Sequence, residues 1–80
     1  MAFEITKELI EEVALFIETG NDKALSMLFS EMHYADIAEV LEELSFEEAV
    51  YIIKLLDSET TSDILIELDE DIREKIFEQL

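Results

Sequence analysis

Two groups of carboxylates have the type and spacing to hold a cation. Asp36, Glu39 and Glu43 follow at i, i+3 and i+7, which puts them on one side of a helix. Glu67, Asp69, Glu70 and Asp71 crowd together farther along. Carboxylate oxygens are what Mg²⁺ and Ca²⁺ take, and Mg²⁺ keeps several waters while using only one or two carboxylates. The chemistry on offer is capture of a hydrated divalent ion, shared with another surface. The competing reading is a solvated helix face plus acids that favour a helix N-terminus, and for any single carboxylate that reading is the stronger one.

Other reactive patterns fail. An EF-hand starting at Asp57 would need glycine at its sixth position and glutamate at its twelfth, but these are Ser62 and Leu68. His33 is the one histidine, with Asp36 its nearest acidic neighbour in sequence. It reads as a linker residue capping the preceding helix. Asp57-Ser58 is similar to the attachment site of acyl carrier proteins, but Glu59 stands where leucine belongs, and Ser58 reads as a helix cap. No cysteine, phosphate loop or Ser/His/Asp set is present, so no catalytic apparatus is expected.

The elements that carry these residues are helices. Ile37, Val40, Leu41 and Leu44 form an apolar stripe at helical spacing. Ser45 ends that run and, with Glu48, makes a capping box that starts a second helix at Phe46. From Ala49 to Leu56 only Lys54 is charged, so this second helix is expected to lie between neighbours. Shifting the pair by 24 residues aligns Val40, Leu41, Leu44 and Ser45 with Ile64, Leu65, Leu68 and Asp69. The cap position then reads Asn21, Ser45, Asp69. That phase agreement predicts a stack of short helical hairpins.

In chain order, Thr6 to Thr19 read as the first helix, with Leu9, Val13, Phe16 and Ile17 on one face. Gly20 is its left-handed stop, and Asn21 or Asp22 caps the second. A fifth helix runs from about Glu59 to Leu68 with Thr61, Ile64, Leu65 and Leu68 inward. Asp69 caps a sixth, where Ile72, Ile76, Phe77 and Leu80 face in. Met27, Phe29, Tyr51 and Phe77 are core-like by spacing, with Tyr51 at a groove edge. The expected fold is all-α, a right-handed solenoid of short antiparallel hairpins with about six helices.

The central segment also carries a resemblance. Met32-His33-Tyr34-Ala35-Asp36-Ile37-Ala38-Glu39-Val40-Leu41-Glu42-Glu43-Leu44 resembles the signature of the N-terminal cytosolic domain of MgtE-type magnesium transporters. Glu47-Glu48-Ala49 and Leu68-Asp69-Glu70-Asp71-Ile72-Arg73 fit the same family, so the match spans roughly residues 24 to 80. The departure is Tyr34, where the family usually has proline; motor switch proteins share a similar helical repeat. The resemblance implies Mg²⁺ as the ion (other divalents such as Ca²⁺ could substitute in vitro), and Asp36, Glu39, Glu43, Asp69 and Asp71 as its ligands. It also implies a pair of CBS domains and a transmembrane pore as partners, with this domain on the cytoplasmic side, helping to close the pore when internal Mg²⁺ is high.

Composition sets bounds on all of this. The 80 residues make one domain, 1–80, with 22 acids against 5 bases and a formal net charge of -17. Nucleic acid and anionic membrane surfaces would repel such a chain; cations or a basic protein face would not. No signal peptide is expected and no apolar run is long enough to span a bilayer; if the chain is a piece of a transporter, the pore lies elsewhere in the parent. A solenoid ending at Leu80 with its apolar face open reads as a fragment, against the alternative of a finished six-helix domain. A homodimer is left open. The leading function is Mg²⁺ sensing; the alternatives are an acidic adaptor for a basic protein without a metal role and, third, an acyl-carrier-like protein.

Overall fold

Residues 5–79 are described by a computed structural model. They form α1 (Lys7–Thr19), α2 (Asp22–Ser30), α3 (Tyr34–Glu43), α4 (Phe46–Leu55), α5 (Ser58–Glu67) and α6 (Glu70–Gln79). Among the described residues there is no strand, and the fold is all-α as expected.

Side chains fix where the helices begin. Thr6 Oγ1 accepts the Leu9 N–H at 3.1 Å. Asn21 Oδ1 accepts from Ala24 at 3.3 Å and Asp57 Oδ1 from Thr60 at 2.8 Å. The capping box is complete: Ser45 Oγ accepts the Glu48 N–H at 3.2 Å, and Glu48 Oε1 accepts the Ser45 N–H at 2.9 Å. His33 corrects an expectation. Its Nδ1 accepts the Ala35 N–H at 3.2 Å, so it caps the helix that follows, not the one before. Ser58 is likewise no cap but the first residue of α5, because Asp57 holds the cap. The Asp69 carbonyl accepts the Arg73 N–H at 2.9 Å, the first bond of α6.

Asn21, His33, Ser45, Asp57 and Asp69 thus stand twelve residues apart. The structural unit is one helix of 10 residues plus a two-residue link, half the period read from the sequence. The links Leu44-Ser45 and Leu56-Asp57 have both residues extended (φ -84 and -66, then -77 and -69). In each, the leucine plugs the core side while the next residue caps. Among the described residues only the turn after α1 needs a left-handed residue, and Gly20 supplies it at φ 69.

The same period organises the core. Val40, Ile52, Ile64 and Ile76 are all fully buried. Leu25, Ile37, Ala49 and Thr61 form a second buried series. In the third, Phe29, Leu41, Ile53 and Leu65 are buried, but Phe77 is 57% exposed. Phe77 was expected inside; on α6 no further helix covers that face among the described residues. Met27 was also expected in the core and is 63% exposed, while Phe29 is buried and Tyr51 half-buried. Leu80, expected to face in, lies outside the described residues.

Helices two apart run in the same sense. Tyr34 at the start of α3 lies beside Asp63 of α5, and Glu42 near its end lies beside Asp69, just past α5. The first turn of α2 meets Tyr51 and Lys54 of α4, and its last turn meets Leu55 and Leu56. The α1/α2 and α3/α4 pairs pack as hairpins, and α4 also touches α1 and α6. This arrangement is compatible with stacked hairpins. The described residues are nearly as wide as they are long, 28 × 27 × 22 Å.

Tyr34 occupies the first position of α3, where the backbone N–H has no helical partner. His33 before it is already extended (φ -74, ψ 153), the conformation that a following proline demands. Tyr34→Pro is therefore expected to stabilise the fold by about 0.5 kcal/mol through the unfolded state. A thermal melt checks this. A fall in Tm would mean that the phenol's link to Asp63 outweighs the gain.

Candidate functional site

The carboxylates expected to hold metal divide between two places. Asp36, Glu39 and Glu43 are all on α3, Asp36 half-buried and the two glutamates exposed. Asp69 is in the link before α6, and Asp71 is in the first turn of α6. Because α3 and α5 run alongside each other, the end of α5 delivers Asp69 to the last turn of α3. The meeting point is Glu42, a residue that sequence reasoning passed over. Partial burial, then the charges of Asp69, Glu39 and Glu43, hold its carboxyl above the ordinary glutamate value. Glu39, Glu43 and Asp69 thus all act on Glu42. Asp36 and Asp71 are not among the charges acting on Glu42.

Glu39 and Glu43 also line a shallow groove of about 330 Å³ against the start of α1, with Ile5, Thr6, Lys7 and Ile10. Lys7 brings a positive charge to that groove, so its floor is mixed rather than purely acidic. Among the described residues no three His, Asp or Glu side chains converge closely enough to cage an ion. The donor set is right for Mg²⁺, which prefers oxygen, but only for an ion that keeps most of its water.

A second acidic field surrounds Tyr34. Asp63, chiefly, and then Glu59 and Asp57 raise its phenol above the usual value. The Tyr51 hydroxyl donates to Asp22, joining α4 to α2. That contact raises the Tyr51 phenol as well.

Two shifts set the pH response. Glu42 binds its proton more readily in the folded chain than the ordinary 4.5 implies, so folding is favoured as pH falls towards that value. Asp57 is held below its ordinary 3.8 by the Thr60 N–H. Its stabilisation is complete above 3.8 and is lost as pH falls through its lowered value. Tm is therefore expected to rise from neutral pH to a maximum near pH 4 to 5, then drop, with relief of the -17 charge acting in the same direction on the neutral side. Melts across pH check this. Glu42→Gln should raise Tm at pH 7 and shrink the gain on acidification, whereas a steady decline from pH 7 downward would overturn the assignment.

No described helix is long and apolar enough to cross a membrane. No curated protein and no solved structure matches the chain. The sequence does match the family described as the MgtE intracellular N domain, over residues 32–80, from the last residue before the His33 cap to the end of the chain. That span covers α3 to α6, the four helices of equal length and both acidic segments, and is more than half of the sequence; the chain belongs to the MgtE intracellular N domain family.

Proposed function

We propose that this domain senses intracellular Mg²⁺ for a magnesium transporter and helps to close its pore. The observation that carries the reading is the acidic meeting of α3 with the start of α6, within the segment that matches the family. Glu39, Glu43 and Asp69 share one field there, and a bound divalent cation would relieve it. Asp36 on α3 and Asp71 on α6 complete the proposed ligand set.

The mode is bridging rather than caging. Hydrated Mg²⁺ would be held by one or two of these carboxylates and by acids on a facing domain, such as a CBS pair on the cytosolic side of the parent transporter. At low Mg²⁺ the like charges repel and the surfaces separate; at high Mg²⁺ the bridged arrangement is favoured. A ligand that prefers one arrangement shifts the population towards it by its difference in affinity. The adaptor alternative, a basic protein face on the same acids without metal, makes no demand for a divalent ion.

Thermal melts in NaCl and in millimolar MgCl₂ at matched ionic strength separate the two. Sodium reproduces screening but not specific binding. An ion present at about ten times its Kd stabilises by about 1.4 kcal/mol, a Tm rise of roughly 6–11 °C. Glu39→Gln with Glu43→Gln should remove the Mg²⁺-specific part. Equal melting in both salts would sink metal binding by the folded domain.

A further inference from the structure

Lys7 stands where a cation would. The groove of about 330 Å³ between α1 and α3 is lined by Ile5, Thr6, Lys7 and Ile10 from one side and by Glu39 and Glu43 from the other. Thr6 caps α1 and Lys7 is its first residue, so the amino end of a 13-residue helix lies in that groove. Such an end carries partial positive charge, and the Lys7 ammonium adds a full one. Glu8, the acid of the same turn, is not in the lining. The chain has only 5 bases against 22 acids, and the other four, Lys23, Lys54, Arg73 and Lys75, are on α2, α4 and α6. Because α1 lies outside residues 32–80, the charge comes from beyond the segment that matches the family.

We propose that Lys7 is a built-in counter-ion of Glu39 and Glu43, which a divalent cation must displace in order to bind them. The inference rests on the Mg²⁺ reading above and adds its regulation: the amino end of α1 sets the ion concentration at which the groove fills. Lys7 and both glutamates are exposed, and a lysine ammonium rides on a flexible stem. It can therefore approach the carboxylates when they are free and leave them for water when a doubly charged ion arrives. Without the ion, Lys7 offsets the repulsion between the two glutamates; with it, the same lysine is a like charge beside the metal.

The test follows the Glu39 and Glu43 amides by NMR while MgCl₂ is titrated in at constant, physiological ionic strength. Lys7→Gln should tighten Mg²⁺ binding about threefold, the scale of an exposed ion pair. Lys54→Gln makes the same change in net charge, but beside Asp22 in the groove between α2 and α4, and screening should keep it from tightening the ion. Lys7→Gln should also lower Tm by about 3 °C in NaCl, and the deficit should shrink in saturating MgCl₂. A lysine with a merely structural role would leave the same deficit in both salts. If the unaltered chain binds Mg²⁺ and Lys7→Gln binds it no more tightly than Lys54→Gln, the counter-ion role is overturned while the Mg²⁺ reading stands. If neither the unaltered chain nor Lys7→Gln responds at these amides, both fall. A response seen only with Lys7→Gln would support the proposal in its strongest form.

Discussion

Ile52→Ala is expected to cost the fold about 2–5 kcal/mol, which would leave a large part of the population unfolded at 37 °C. Ile52 is fully buried on α4, the helix in contact with α1, α3 and α6. Truncation removes apolar contacts on several sides and leaves a cavity that no single helix can close. An 80-residue chain has only about 4–12 kcal/mol of stability to lose. With a urea slope of about 1–2 kcal/mol per molar, the midpoint should fall by roughly 2 M. Ile66→Ala is the control, an equal truncation at a residue 70% exposed on α5, where the change should stay within about 0.5 kcal/mol. Similar midpoints for the two variants would contradict the burial of the Val40-Ile52-Ile64-Ile76 series.

Thr61→Val should be the second most damaging change, although it conserves shape. Thr61 stands in a series otherwise made of Leu25, Ile37 and Ala49, and it is the one buried polar side chain among them. Its Oγ1 donates to the Ile53 carbonyl at 3.2 Å. Ile53 lies in the last turn of α4, where helical carbonyls have no following N–H of their own helix to accept from. The extended link that follows carries the chain away, so the hydroxyl of α5 supplies the missing donor. Valine would leave that carbonyl buried and unpaired, at a cost of about 1–3 kcal/mol. Serine keeps the donor and loses one methyl, about 0.8 kcal/mol. The expected order of urea midpoints is threonine, then serine, then valine. A valine variant as stable as the parent would show that water reaches the carbonyl.

Period and capping chemistry made most of the helices legible. Ile37, Val40, Leu41 and Leu44 are all buried, as are Thr61, Ile64, Leu65 and Leu68, because the stripe on a short helix says which side has a neighbour. The unit length was harder to see. Asn21, Ser45 and Asp69 have strong cap side chains, but His33 and Asp57 between them did not read as caps of the helices that follow, so the sequence showed the six helices and not the twelve-residue phase of their starts. An imidazole can serve the helix on either side, and sequence does not say which. Phe77 shows the limit of periodicity: it gives the direction of a side chain, while burial needs another helix to be there. The acidic site was legible in its parts only. Glu39, Glu43 and Asp69 could be named from the family signature, but Glu42 becomes their meeting point through the α3/α5 packing, a contact between residues far apart in the chain.

The two-residue links have a consequence for how such a chain can change in length. Each residue turns a helix by about 100°, so adding or deleting one inside α4 would rotate everything after it relative to the core. Leu56 would leave its plug and Asp57 its cap, and α5 and α6 would present the wrong sides to α3 and α4. With so short a link there is no slack to absorb the error. Insertions and deletions should therefore be tolerated only in whole units of twelve, and the domain should grow or shrink by helices rather than by residues.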